Sequence, residues 1–169
     1  MTVVTAESAV AQAISRIPDP EVPVISIADL GILRAVDVDE QAHTVTVTVT
    51  PTYSGCPAME AIASRIVFEA DRQGYAADVR TQLSPAWTTD WMSDEGRAAL
   101  SRFGIAPPGP APTGEPSGPV AVTLTRHVVT CPLCGSTDTT EIAHFGSTAC
   151  KALRRCNACL EPFDEFKAI

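Results

Sequence analysis

The chain carries little basic charge: of its 169 residues, 12 are Lys or Arg against 20 Asp and Glu, a formal net charge of −8. The deficit holds in both parts, with 14 acids and seven Arg up to residue 106 and six acids and five bases after it. Such a chain repels phosphate, which argues against binding nucleic acid or an anionic membrane surface. No apolar run approaches the roughly 18 residues of a membrane span. The opening "MTVVTAESAV" lacks the basic stretch and long apolar run of a secretory signal. These absences predict a cytoplasmic protein with no nucleic-acid partner and no membrane partner. There is also no internal repeat and no dinucleotide-binding glycine fingerprint. Cysteine is sparse at first, with Cys56 alone before residue 131, and then dense, with five between 131 and 159. In a cytoplasmic chain, six cysteines point to metal or redox chemistry more than to disulfides.

What is present divides into two folding patterns around a Pro- and Gly-rich stretch, "GIAPPGPAPTGEPSGPVAV". Such a segment cannot bury enough surface to offset its ordering entropy, and its prolines keep it extended. It is read as a linker over 105–119, between a first domain at 1–104 and a second at 120–169. In the first, apolar residues at Ala6, Val10, Ala13, Ile14 and Ile17 recur at helical spacing over 5–17, and Pro18 stops the helix. "GILRAVDVDE" and "HTVTVTVTP" read as two strands around a turn near Glu40–Ala42, the second with valines on one face and threonines on the other. Pro57 opens a second helix with an apolar stripe of Met59, Ile62, Ala63, Ile66, Val67 and Ala70, which Gly74 stops. "YAADVRTQL" is a third strand, followed by a short helix near Ser93–Phe103. The predicted class is α+β, a small αββαβ domain joined to a C-terminal ribbon. After the linker, "PVAVTLTRHVV" is strand-like, and the remainder has too little apolar sequence to fold on a core alone.

The cysteines supply a staple. Cys131 and Cys134 form "CPLC", and Cys156 and Cys159 form "CNAC". Each two-residue spacing lets a tight turn aim two thiolates at one ion. The 21 residues between the pairs slightly exceed the usual zinc-site interval of roughly 15–20, a difference that a hairpin absorbs. A closed four-thiolate site favours structural zinc, and the spacing also accommodates iron or a cluster. Cys150 stands apart, beside Lys151, Arg154 and Arg155. It is open to three roles: a packed thiol, an alternative ligand, or a reactive thiolate. His144 is read as a surface or packing residue.

Cys56, in "TPTYSGCPAME", lies at a strand-to-helix junction. Unpaired helix N–H groups and the positive end of the helix dipole there would lower its pKa, and Gly55 would let the backbone turn tightly or approach a ligand. Asp19, Glu21 and Asp29 lie in Pro- and Gly-punctuated loops that could approach it. No histidine base occurs in the segment, which disfavours a cysteine-protease-type nucleophile. The residues leave two readings open, a reactive or metal-binding thiol and a packed one.

Further segments carry a resemblance. "DPEVP" at 19–23, "IADLGIL" at 27–33 and "VTVTVTPTYSGCPAMEAI" at 45–62 resemble the α+β domain of iron–sulfur cluster assembly and carrier factors. With "SPAWTTDWMSDEGRAALSRFGIAPP" at 84–108 and "FGSTACKALRRCNACLEPFDEFK" at 145–167, nearly the whole chain outside the linker resembles the D-subunit family of the bacterial phenylacetyl-CoA epoxidase (ring 1,2-monooxygenase) system of phenylacetate catabolism. The resemblance implies a non-catalytic accessory subunit that helps mature the iron–sulfur or iron centre of the oxygenase. Its implied partners are the other subunits, especially the iron–sulfur flavin reductase or the di-iron oxygenase. Cys56 becomes the cluster-handling residue, with Asp19, Glu21 and Asp29 assisting and Fe or an Fe–S cluster bound transiently. One thiolate cannot hold a cluster that prefers four ligands, so this role calls for a homodimer or a client that shares it. The competing implication is a structural docking subunit in which Cys56 is packed.

Overall fold

The computed structural model describes residues 8–109 and 127–168. Compactness divides the chain into two units, Met1–Ala99 and Leu100–Ile169. The division falls within the third helix.

The first unit follows the αββαβ order that its periodicities predict. Helix α1 spans Ala9–Ser15, capped by Ser8, whose hydroxyl accepts from the Ala11 N–H at 3.3 Å. It buries Val10, Ala11 and Ile14, and Ile17 follows them into the core. Of the expected helix over 5–17, residues 5–7 lie outside the described residues. Strands β1 (Leu33–Asp39) and β2 (Thr44–Val49) form an antiparallel hairpin, and β3 (Ala76–Thr81) adds parallel to β2, giving the order β1-β2-β3.

The register puts Val36, Val45, Val47, Ala77 and Val79 on one face. Asp37, Thr46, Thr48, Asp78 and Arg80 occupy the other. Helix α2 (Ala58–Asp71) buries Ala58, Ile62, Ile66 and Ala70. This stripe is narrower than the sequence pattern suggests: Val67 is 46% exposed, because a strict spacing of four carries the apolar line past it. Gly74 sits at φ +82° beyond the helix end, a left-handed position that favours glycine.

Two glycines fix the loops. A Cβ on Gly31, at φ +79°, would lie 2.7 Å from the Trp91 carbonyl oxygen, and one on Gly96 would lie 3.0 Å from the Asp29 carbonyl oxygen. Helix α3 spans Asp94–Phe103, and the Ser93 hydroxyl accepts from the Gly96 N–H at 2.9 Å in the capping arrangement.

In the second unit, β4 (Ile105–Ala106), β5 (Thr139–Ala143), β6 (Lys151–Cys156) and β7 (Pro162–Phe166) form a sheet of order β4-β7-β6-β5. Ile105 and Ala106 fall at the start of the expected linker, yet both are buried and pair parallel to β7. Two apolar residues complete the sheet edge there. Residues 110–119 of the expected linker, and 119–126 of the strand-like "PVAVTLTRHVV", lie outside the described residues. One core cluster of the ribbon holds Ala106, Val129, Cys131, Cys156 and Phe163, with Cys159 against it, and Ile105, Cys150, Ala152 and Phe166 are also buried in this unit. Such a core is modest for its unit, and the metal site adds to it.

Candidate metal centre and thiol site

The two cysteine knuckles are built alike. The Cys131 N–H donates to the Ser136 carbonyl at 2.9 Å, and the Cys156 N–H donates to the Glu161 carbonyl at 3.0 Å, each turn spanning six residues. Asn157 ties the second knuckle to the base of the first hairpin, its side chain donating to Asp138 Oδ1 at 2.8 Å and Thr140 Oγ1 at 3.0 Å. The four Sγ atoms of Cys131, Cys134, Cys156 and Cys159 all lie within 4.8 Å of one another. Cys131–Cys159 and Cys134–Cys156 stand 3.9 and 3.5 Å apart. A tetrahedral ion with bonds of about 2.3 Å sets its sulfurs about 3.8 Å apart, so the cage already has the size zinc requires.

Electrostatics also call for a cation here. The Cys159 and Ala158 N–H groups hold Cys156 down to about 6 against its burial. At Cys159 the Glu161 N–H would lower the thiol, but burial and the thiols of Cys156, Cys134 and Cys131 push it up to about 12. Cys134 receives the Ser136 N–H and is nevertheless raised by Cys156 and by burial. Four thiolates at this spacing cannot ionise together without a cation. Among the described residues this is the one cluster of three or more His, Cys, Asp or Glu ligands.

Cys150 is not part of it. It is buried, with its Sγ 3.0 Å from the Thr148 hydroxyl. His144 is exposed beside Glu141 at 3.4 Å and edge-on to Phe145. Two Glu-x-x-His runs occur, Glu40–His43 and Glu141–His144. Neither lies on a helix, where di-iron carboxylate sites place them, and each glutamate is engaged, Glu40 by the Tyr75 hydroxyl and Glu141 by Arg154.

Cys56 sits one residue before Pro57, the N-cap of α2, in a turn closed by its N–H donating to the Tyr53 carbonyl at 3.1 Å. The expected lowered pKa is not found. Burial pushes the half-buried thiol up, the Ala58 N–H and the Thr52 hydroxyl pull it down, and Glu21 and Asp19 raise it again. Lying ahead of the cap, the thiol gains one helix N–H rather than several, and burial outweighs it. Gly55 holds no left-handed backbone, and a Cβ there would meet only the Tyr53 ring, at 3.7 Å.

The fold thus brings Asp19 and Glu21 within electrostatic reach of Cys56. Asp19 also organises its own loop: its Oδ1 accepts from the Glu21 and Val22 N–H groups at 2.9 and 2.8 Å. Asp29 is placed differently. Its carboxylate accepts from the Ser26 and Ser93 hydroxyls at 2.6 and 2.8 Å, holding the start of α3. Thr52 is a neighbour that sequence reasoning misses. Its position four before the cysteine, on a turn that folds back, is the only local signal of it.

These features define a two-part protein, an iron–sulfur-assembly-type α+β domain followed by a zinc ribbon. Residues 7–69 match the family described as iron-sulfur cluster assembly protein, and residues 115–167 match the PaaD zinc beta ribbon domain. The four-cysteine cage is accordingly a zinc site. Over 157 residues, 92% of this chain and 89% of the relative, the sequence is 45% identical to a protein of Escherichia coli (strain K12) named as the D subunit of 1,2-phenylacetyl-CoA epoxidase. The chain belongs to that D-subunit family. A crystal structure of a DUF59 domain from Bacillus anthracis matches with 26% identity and a TM-score of 0.48, covering 54% of this chain and 87% of that one. No helix among the described residues is long and apolar enough to cross a membrane.

Proposed function

We propose that the protein is a cytoplasmic accessory subunit of a phenylacetyl-CoA epoxidase system that assists maturation of the iron–sulfur or iron centre of its oxygenase partners. The observation that carries this reading is Cys56 beside Glu21 and Asp19. Burial is the main cause of the thiol's raised pKa, and the two carboxylates add a negative potential that attracts a cation. An arriving iron reverses the local balance, since a cation stabilises the thiolate that the acids oppose. Loading therefore releases a proton and strengthens with pH. Thr52 and the Ala58 N–H then hold the thiolate in place. Zinc in the ribbon shapes a docking surface for the client, the iron–sulfur flavin reductase or the di-iron oxygenase.

The test is metal and sulfide analysis, with an absorption spectrum, of anaerobically purified protein and its Cys56→Ser variant. One zinc per chain in both, with iron absorbance in the parent only, supports the reading. One zinc and no iron in either, even after reconstitution, defeats it. The burial that pushes Cys56 up favours a second reading, a docking subunit whose Cys56 is packed. That reading predicts stoichiometric co-purification with the oxygenase and full tolerance of Cys56→Ser.

A further inference from the structure

Strand β3 is an edge strand: among the described residues it pairs with β2 alone, and none of its residues is fully buried. Two contacts fix which way its backbone groups point. The Ala76 N–H donates to the His43 carbonyl at 2.9 Å, and the Gln82 N–H donates to the Val49 carbonyl at 2.8 Å. Both carbonyls border β2. In a parallel ladder the direction alternates from residue to residue, so residues 76, 78, 80 and 82 face β2. Ala77, Val79 and Thr81 therefore present N–H and C=O outward, a row of unpaired groups.

The side chains of this edge are patterned as well. Asp78 and Arg80 lie on the uncovered face, 60% and 66% exposed, and pair with each other at 2.7 Å. Antiparallel pairing of the edge with itself, about a two-fold axis at Val79, sets Asp78 opposite Arg80 of a second copy and Arg80 opposite its Asp78. In the same register, Val79 meets Val79, and Ala77 meets Thr81. Every outward-pointing residue then falls in a hydrogen-bonded pair. Both charge oppositions fall in non-hydrogen-bonded pairs, where side chains approach most closely.

The opposite edge has no such property. The exposed residues of β1 are Asp37 and Asp39, so self-pairing there sets acid against acid, and a register shift between Leu33 and Ala35 breaks the strand line.

We propose that β3 is a self-complementary edge that joins two copies of this chain into a dimer with a continuous six-stranded sheet. The contact is isologous, and its alternating charges reject an acidic foreign strand while matching their own sequence. Helix α2, which packs on β3, carries exposed Val67 and Phe68. A two-fold axis normal to the sheet keeps both copies of α2 on one face. One strand pair buries little area, so the dimer is concentration-dependent. The inference rests on β3 and is independent of what Cys56 does.

Sedimentation velocity of the full chain over a range of concentrations tests it, with circular dichroism to confirm folding. The parent is expected to show a monomer–dimer equilibrium. Arg80→Asp and Asp78→Arg each turn both oppositions repulsive and weaken dimerisation by about tenfold or more. An equimolar mixture of the two variants restores it, because acidic and basic edges then meet. Thr81→Pro removes an outward N–H while leaving the ladder to β2 intact, and it also weakens the dimer. A parent that stays monomeric, or a dimer indifferent to all three variants, overturns the proposal.

Discussion

Gly135 and Leu160 occupy equivalent places in the two cysteine knuckles: each follows the second cysteine of its pair, with left-handed backbone at φ +77° and +68°. At Gly135 a Cβ would meet nothing within 4 Å, so glycine serves the backbone angle and not a close approach. Leu160 adopts the same angle at a cost of about 1–2 kcal/mol, and at 62% exposed it has little packing to offset this. Leu160→Gly should therefore stabilise the zinc-loaded ribbon by about 1 kcal/mol, after glycine's own chain entropy is counted. A rise in the urea midpoint of the ribbon transition checks it, and a fall would mean that Leu160 is packed in solution.

Zinc removal should unfold one unit and spare the other. Structural zinc supplies about 10–16 kcal/mol of apparent folding energy in small metal domains, a large share for a unit with so modest a core. A strong chelator at neutral pH is expected to collapse the amide resonances of 127–168 to random-coil positions and leave those of 8–93 dispersed. Loss of both sets together would place the boundary elsewhere.

The raised pKa of Cys56 has a definite sign. The folded protein holds this proton to higher pH than the unfolded chain, so the stability contributed by the neutral thiol is complete below the ordinary value of 9.0. It is lost as pH rises through the folded value. Alkylation of Cys56 in zinc-loaded protein should show a midpoint above 9.0, and Thr52→Val, which removes a hydroxyl that lowers the thiol, should move it higher still. Between pH 8 and 10, Cys56→Ser should lose less stability than the parent. A midpoint below 9.0 would restore the activated thiolate that the sequence suggests.

Arg154 and Glu165 form a buried ion pair at 3.1 Å on adjacent strands, 5% and 3% exposed, with His127 also on Glu165. Arg154 Nε finds no partner of its own. Glu165→Ala leaves the buried guanidinium only the partly exposed Glu141, at 3.4 Å, and the loss should approach the roughly 3–5 kcal/mol of a broken buried pair. The double variant Arg154→Met, Glu165→Leu should recover most of it, since apolar pairs often replace buried ion pairs without loss. Denaturant titration of the three proteins measures the loss and the recovery. A double variant as unstable as the single would show that the pair specifies the ribbon fold and does not merely fill it.

Much of the architecture is local in origin and legible in the chain. The alternation of Val45, Val47 and Val49 with threonines marks β2 because a strand repeats every two residues. The CPLC and CNAC spacings mark the zinc cage because two residues suffice to close a knuckle. Cys56 is legible as a junction residue, and the loops of Asp19 and Glu21 as possible neighbours. Thr52 is not, because a hydroxyl four residues away reaches the thiol only once the turn has folded.

The amino-acid sequence by itself determined the elements of the first unit, their order and the spacing of the cysteine cage, all set by contacts within a few residues or by fixed spacing. Tertiary structure alone decided the rest. It set Asp29 against Ser93, 64 residues on, which makes that acid a clamp on α3. It buried Cys56 enough to reverse the direction of its pKa, and it drew Ile105 and Ala106 into the ribbon sheet. Desolvation and long-range pairing depend on what packs around a group, and no short stretch of chain contains that.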